Sequence, residues 1–418
     1  MISSFYYNLS NNNELNELLL DDTISDLNVL NKHISTSTSN NQTYKIIRYN
    51  KNFLNKSFVS SHGLCRSIVV NKKNKVLSFA PPKTIPSEDF ILSYDLKDEN
   101  VTAEEFVEGT MINVFWDPDC GLTGCWEIAT RNNVGGETSF YQYSKAKTFR
   151  TMFLETLTTC NLDLDNLNKE FSYSFVLQHP ENRIVVPFFK PKLYLVAAYF
   201  IIQNSSMFVV YTCDLKKIKE SWIFEKTDVQ FPKIYEINNY TDLIEKYASM
   251  NTPYDNLGVV IHNTSTGERC KIRNPVYEQV RQLKGNQPKL QYQYLVLRQE
   301  GRIKEYLKYY PETKKYFSQF RDQLHLFTNT LFSNYLSCYI KKDKPLDEFP
   351  LQYRNHMFSL HQLYLNDLRE KKLFINNTIV IKYVNSLHPS QQMFSINYAM
   401  RKRNIDFSIC EPILNDVI

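Results

Sequence analysis

The chain carries two kinds of hydrophobic pattern, and the change between them falls near residue 290. Before it, short runs of β-branched and aromatic residues recur at 43–49, 67–70, 75–79, 111–116, 125–130, 173–177, 193–202, 207–212 and 258–262. Runs of this length, bounded by turn-forming residues, predict strands. Helical spacing punctuates them at 144–159 and 240–250. Antiparallel sheets with interspersed helices make an α+β class. After residue 290, the segments 294–310, 311–341, 345–372, 376–387 and 389–403 read as amphipathic helices. They are broken at Pro311, Pro345, Pro350 and Pro389, since proline has no amide hydrogen to continue a helix. Phe320, Leu324, Phe327, Leu331 and Tyr335 keep the helical period.

The first 43 residues contain an acidic helical stretch from Asn13 to Leu30, with leucines at 15, 18, 19, 20, 27 and 30. The polar tract Ser35-Thr36-Ser37-Thr38-Ser39-Asn40-Asn41 follows and reads as a linker or surface loop. The predicted division is therefore an N-terminal acidic helix and linker over 1–43, an α+β domain over 44–290, and an all-α C-terminal domain over 291–418.

Composition changes this picture little. A formal net charge of +5 over 418 residues allows an RNA-facing patch without requiring one. Basic and aromatic residues mix in Lys304-Glu305-Tyr306-Leu307-Lys308-Tyr309-Tyr310, in Lys314-Lys315-Tyr316-Phe317 and in Tyr339-Ile340-Lys341-Lys342. Single-strand nucleic-acid binding uses such mixtures, and so does any helix with aromatics inside and lysines outside. The eight cysteines include no Cys-x-x-Cys pair; Cys120 and Cys125 bracket a hairpin-like Gly-Leu-Thr-Gly. No zinc site is expected from this spacing, and the cysteines read as free thiols of a reducing compartment. His325, His356, His361 and His388 lie on different predicted helices and read as packing or surface residues. The N-terminal residues lack the pattern of a signal peptide, and no apolar run has the length of a membrane span. A soluble, intracellular, cytoplasmic protein is the expectation.

Chemistry-bearing residues fall in five ordered groups. Gly63-Leu64-Cys65-Arg66-Ser67-Ile68-Val69-Val70 leads on to Lys83. Phe106-Val107-Glu108-Gly109-Thr110 lies between two strand-like runs, ahead of Ile128-Ala129-Thr130-Arg131. Then come Phe175-Val176-Leu177-Gln178-His179-Pro180-Glu181-Asn182-Arg183-Ile184-Val185-Val186, and finally Leu257-Gly258-Val259-Val260-Ile261 with Lys271-Ile272-Arg273-Asn274-Pro275. This set, over roughly residues 60–285, resembles the ordered motifs of phage-type RNA ligases and capping-type covalent nucleotidyltransferases. The arrangement looks most like uncharacterised ligase-like proteins of large DNA viruses.

The resemblance implies an adenylation domain of two antiparallel sheets flanking a nucleotide groove. In the family a lysine attacks the α-phosphate of a nucleoside triphosphate; at that position this chain has Phe106, which cannot act as a nucleophile. Carboxylates of the third and fourth motifs correspond to Val176 and Leu257, which offer no oxygen to a ribose or a divalent ion. The cationic positions persist as Arg66, Arg131, Lys271 and Arg273, and they are the candidates for holding phosphate or RNA. Glu108, Gly109 and Gly258 are read as keeping motif geometry.

The implied protein is a catalytically inactive ligase-like fold whose old groove binds RNA or another anionic partner, with no catalytic residue, metal ligand or cofactor. One alternative is an active RNA ligase or nucleotidyltransferase using ATP and magnesium through a displaced lysine, with Lys97, Lys145, Lys147 and Lys271 as candidates. Another is a virion or structural scaffold with a protein partner on the C-terminal helices or the acidic N-terminal helix. A helical C-terminal domain also occurs in phage-type RNA ligases, an architectural parallel only.

Overall fold

Period-two runs become strands wherever one face can be buried. The computed structural model describes residues 1–140, 146–204, 207–236 and 238–400. Its strands, in chain order, are β1 (Ile2–Asn8), β2 (Leu30–Thr36), β3 (Thr43–Tyr49), β4 (Ile68–Val70), β5 (Val76–Phe79), β6 (Val101–Glu105) and β7 (Thr110–Asp117). They continue with β8 (Cys125–Ala129), β9 (Phe171–Gln178), β10 (Lys192–Gln203), β11 (Phe208–Cys213), β12 (Ile234–Tyr235), β13 (Gly258–Asn263) and β14 (Arg269–Arg273). The helices among them are α1 (Asn13–Leu20), α2 (Ser87–Ser93), α3 (Phe149–Thr159), α4 (Leu215–Lys219), α5 (Trp222–Glu225), α6 (Tyr240–Tyr247) and α7 (Pro275–Lys284). The chain divides into two compact units, Met1–Gln282 and Leu283–Ile418.

Three antiparallel sheets build the first unit, with strand orders β1-β11-β10-β9-β7-β8, β2-β3-β4-β5 and β12-β6-β13-β14. The class is α+β, as the strand and helix patterns predict. Central strand β9 is buried on both faces. Phe171, Tyr173, Phe175 and Leu177 join Phe153 and Leu157 of α3 in one core. The opposite face carries Ser172, whose hydroxyl donates to Ser78 Oγ at 3.0 Å, and Ser174, which donates to Asn113 Oδ1 at 2.8 Å. These buried hydroxyls are satisfied across strands, as burial requires.

The N-terminal segment departs from expectation. No strand is read from the first eight residues of the sequence, yet β1 is the edge strand of the large sheet, paired with β11. The helix stops at Leu20 rather than Leu30, because the Asp21 carboxylate accepts from Thr23 N at 2.8 Å and Thr23 Oγ1 at 2.7 Å and turns the chain. Leu30 is instead buried in β2. Glu14, expected on a solvated acidic face, accepts from Val29 N at 3.0 Å and Leu30 N at 2.9 Å and so fastens α1 to the start of β2.

The polar tract is likewise no linker. Ser35 and Thr36 finish β2, and the turn into β3 is pinned by Glu127, which is 1% exposed. Its Oε2 accepts from Ser37 Oγ at 2.7 Å and Ser39 Oγ at 2.8 Å, while Oε1 accepts from Arg150 Nη1 at 2.6 Å. Cys120 and Cys125 form a disulfide across their turn, with Cα atoms 5.5 Å apart, where free thiols were expected. Cys65, Cys160, Cys213 and Cys270 are buried thiols.

The second unit is helical among its described residues: α8 (Leu290–Gln299), α9 (Ile303–Tyr309), α10 (Lys314–Tyr335), α11 (Leu351–Leu363), α12 (Asn377–Ser386) and α13 (Pro389–Ile396). The single helix expected over 294–310 breaks at Gly301, whose φ of 71° lies in the left-handed region. Both α10 and α11 end in π-helical turns, at Leu336–Lys341 and Tyr364–Leu368. His356 uses both ring nitrogens, with Tyr383 Oη and Ser395 Oγ each 2.9 Å away. Residues 401–403 of the last expected helix lie outside the described residues.

Replacing Glu127 with alanine removes the shared acceptor of two serine hydroxyls and the closest carboxylate of Arg150, which keeps Gly135 O at 3.2 Å and Glu137 at 3.7 Å. The expected loss is about 3 kcal/mol of unfolding free energy, read from the urea midpoint at unchanged m-value.

Candidate anion-binding site

Strand β14 sets the site through its period. Arg269, Lys271 and Arg273 alternate with Cys270 and Ile272, so the three cations share one face while Cys270 is fully buried on the other. Lys271 pairs with Val260 and Arg273 with Gly258 on β13. The loop after β6 runs alongside, with Phe106 N donating to Gly258 O at 3.2 Å. Lys271 Nζ thus stands 4.4 Å from the centre of the Phe106 ring, and Arg273 Cζ stands 5.9 Å from it.

Two glycines make this approach feasible. Gly109 has φ 146° and Gly258 φ 120°; a Cβ on either would collide with the carbonyl oxygen of Leu177 or of Ile272. Glu108 is buried. Its carboxylate accepts from Val185 N at 2.7 Å, Val186 N at 3.1 Å and Tyr277 Oη at 3.2 Å, tying the loop to the chain after β9 and to α7. Val176 and Leu257 are buried, at 6% and 9% exposure. They present hydrocarbon at the positions where the resemblance would place carboxylates.

The cations predicted from sequence come together. Burial, then Arg269, Arg66, Arg273 and Lys83, push the Lys271 amine down to about 6. Burial first, then the charges of Arg269 and Arg131, lower Arg66 to about 10. Lys83 is lowered by burial and by Arg66, Arg273 and Arg131, and Lys51 by Arg131 ahead of burial, Arg66 and Lys83. Arg131 lies over the Tyr49 ring at 5.0 Å, and its buried Nε has no hydrogen-bond partner among the described residues.

Arg273 is paired with Glu278 at 2.8 Å, and Arg269 donates to Pro82 O through Nε at 3.1 Å and Nη2 at 2.6 Å. Among the described residues, Arg66, Lys83, Arg131, Lys271 and Lys51 have no carboxylate within ion-pair distance. Sequence reasoning missed Arg269 and Lys51. Arg269 was signalled by its i, i+2, i+4 spacing with Lys271 and Arg273; Lys51, just after β3, has no comparable local signal.

The lysines considered as displaced nucleophiles separate clearly. Lys97 precedes β6 while Phe106 follows it, so roughly 17 Å of strand lies between. Lys147 is held between Glu155 at 2.9 Å and Glu181 at 2.8 Å, and those hydrogen bonds raise its pKa. Lys145 lies outside the described residues. Lys271 alone of the described three faces Phe106.

No protein-family model matches the chain. Over 302 residues it is 23% identical to a protein described as "Immediate-early protein ICP-46 homolog" of Invertebrate iridescent virus 6. That match covers 68% of this chain and 62% of the relative, so the chain spans less than two thirds of the relative's length. Among solved structures, it is similar to a Naegleria gruberi RNA ligase variant with ATP and Mn, at TM-score 0.32 and 11% identity, over 49% of this chain and 58% of that one. An archaeal ATP-dependent RNA ligase matches at TM-score 0.33 and 11% identity, over 69% of this chain and 72% of that one.

Between about pH 6 and the ordinary lysine range, the unfolded chain holds a proton at Lys271 that the folded chain lacks. The contribution of this group to stability therefore rises with pH through that window. Lys271→Met is expected to raise the urea midpoint at pH 6–7 and to flatten its dependence on pH up to 10.

Proposed function

We propose that the chain is a ligase-like protein that has lost lysyl-nucleotide chemistry at the ancestral position and binds RNA through the cationic cluster. The observation that carries this reading is the convergence of Arg66, Lys83, Arg131 and Lys271 without carboxylate partners among the described residues, against the ring of Phe106. Burial first, and then mutual repulsion, lowers the pKa values in this cluster, and an arriving phosphate relieves that repulsion as well as making hydrogen bonds. Phosphate contacts of this kind carry affinity and little sequence information. The distant likeness to RNA ligases agrees with the choice of RNA and does not carry it.

One observation favours a second reading. An amine with its pKa near 6 is largely neutral at pH 7, and neutral lysine is the nucleophilic form. In that reading Lys271 attacks the α-phosphorus of ATP, a phosphorus–nitrogen bond forms, the bond to pyrophosphate breaks, and the amine proton passes to solvent. Magnesium would accompany the triphosphate.

Titration of a single-stranded RNA oligomer at increasing salt separates the two. RNA binding is expected to weaken steeply with salt, to fall about tenfold or more in Lys271→Ala and Arg66→Ala, and to take up a proton so that affinity declines above pH 6. Binding indifferent to salt and to both substitutions would discard the RNA reading. α-Labelled ATP that marks the wild type and not Lys271→Ala would establish the second reading.

A further inference from the structure

A second site lies outside the cationic cluster, at the β7–β8 hairpin. Trp116 and Trp126 are register partners across the two strands, and their rings meet edge to face at 5.5 Å. The hairpin turn between them is closed by the Cys120–Cys125 disulfide. Gly124, at φ 86°, is required there because a Cβ would run into the Trp116 indole. Backbone and ring are therefore in contact, which fixes the ring. Opposite the tryptophans, Leu154 and Leu157 of α3 with Leu162 and Leu164 line a cleft of about 690 Å³. That volume is in the range that holds small organic ligands.

Two features define the ligand. The face of Trp116 already holds a cation, because Lys169 Nζ stands 3.8 Å from the ring centre, and Lys169 has no ion pair among the described residues. The charged side chains of the lining are Asp163, Asp165 and Lys169, so carboxylates outnumber the ammonium. Asp163 is engaged by the Asp165 amide at 3.0 Å. Trp126 Nε1, moreover, is buried with no acceptor among the described residues, which costs free energy until an acceptor arrives.

We propose that this cleft binds an organic cation, an ammonium or guanidinium head on a short stem carrying an acceptor oxygen. The head replaces the Lys169 ammonium over Trp116 beside Asp165, the stem lies on the leucines, and the oxygen accepts from Trp126 Nε1. Ring quadrupole and carboxylate attract the head together.

Choline, N-acetyl-arginine methylamide and the neutral choline isostere 3,3-dimethylbutan-1-ol are the probes, read by tryptophan fluorescence. The chain has three tryptophans, and Trp222 lies on α5 at 63% exposure; Trp222→Phe therefore leaves the cleft pair as sole reporters. Saturable binding of one or both cations is expected, with the neutral isostere at least tenfold weaker. Choline alone would point to a small-molecule ligand, and the arginine derivative alone to a basic peptide. Lys169→Ala removes the competing ammonium and is expected to strengthen binding at least threefold, whereas Asp165→Asn weakens it by a similar factor. Both side chains are exposed, so neither change threatens the fold. Equal affinity for the neutral isostere, no saturable signal from either cation, or unchanged or weaker binding in Lys169→Ala would overturn the proposal.

Discussion

Like charges brought together with few counter-charges, Glu278 on Arg273 among them, have to be held by something else. Here the holding is done by backbone. Arg269, Lys271 and Arg273 are fixed on one face of β14 by its pairing with β13, Arg66 by the short turn ahead of β4, and Lys83 by the hydrogen bond its backbone N–H donates to Gly63 O at 2.9 Å. Burial first and repulsion after it lower the pKa values of the side chains, and a strand locked in a sheet cannot relax to separate its own i and i+2 residues. Everything proposed for the site depends on that rigidity.

The aromatic ring at Phe106 has a particular place in this arrangement. A lysine there would add one more ammonium beside Lys271; a phenyl ring instead offers the negative face of its quadrupole to that amine at 4.4 Å. Glu108, which accepts from Val185 N, Val186 N and Tyr277 Oη, acts as a fastener between the loop, the chain after β9 and α7. A phenyl ring at position 106 and a cationic cluster beside it are therefore compatible within one set of contacts.

Much of the fold was legible because burial and period agree. The run 43–49 is β3 residue for residue, and 111–116, 173–177 and 193–202 each lie inside a longer strand. The N-terminal segment misled because its leucine spacing continues past Asp21, where a side-chain turn outcompetes the helix, and because nothing local reveals that Glu127 reaches back to Ser37 and Ser39. In the basic-aromatic mixtures of the helical unit, part of the aromatic set is spent on packing. Tyr306, Tyr310 and Phe317 stack on one another inside the core and are unavailable to bases. At the cationic site, motif order found four residues, but the partner contacts that free or engage each of them are tertiary and have no signature in sequence.

The pairing of β1 with β11 has a temporal meaning. Ile2 lies opposite Cys213, so β1, the earliest strand of the large sheet in chain order, has its sheet neighbour among the described residues more than two hundred residues downstream. At about 5–20 residues per second, its hydrogen-bonding edge stays unpartnered for roughly 10–40 s of synthesis. Closing a loop of that span is also the slowest kind of contact for a chain to make. The large sheet is thus completed from its β8–β7 edge across β9, β10 and β11, and β1, the earliest of its strands in the chain, is the last to pair.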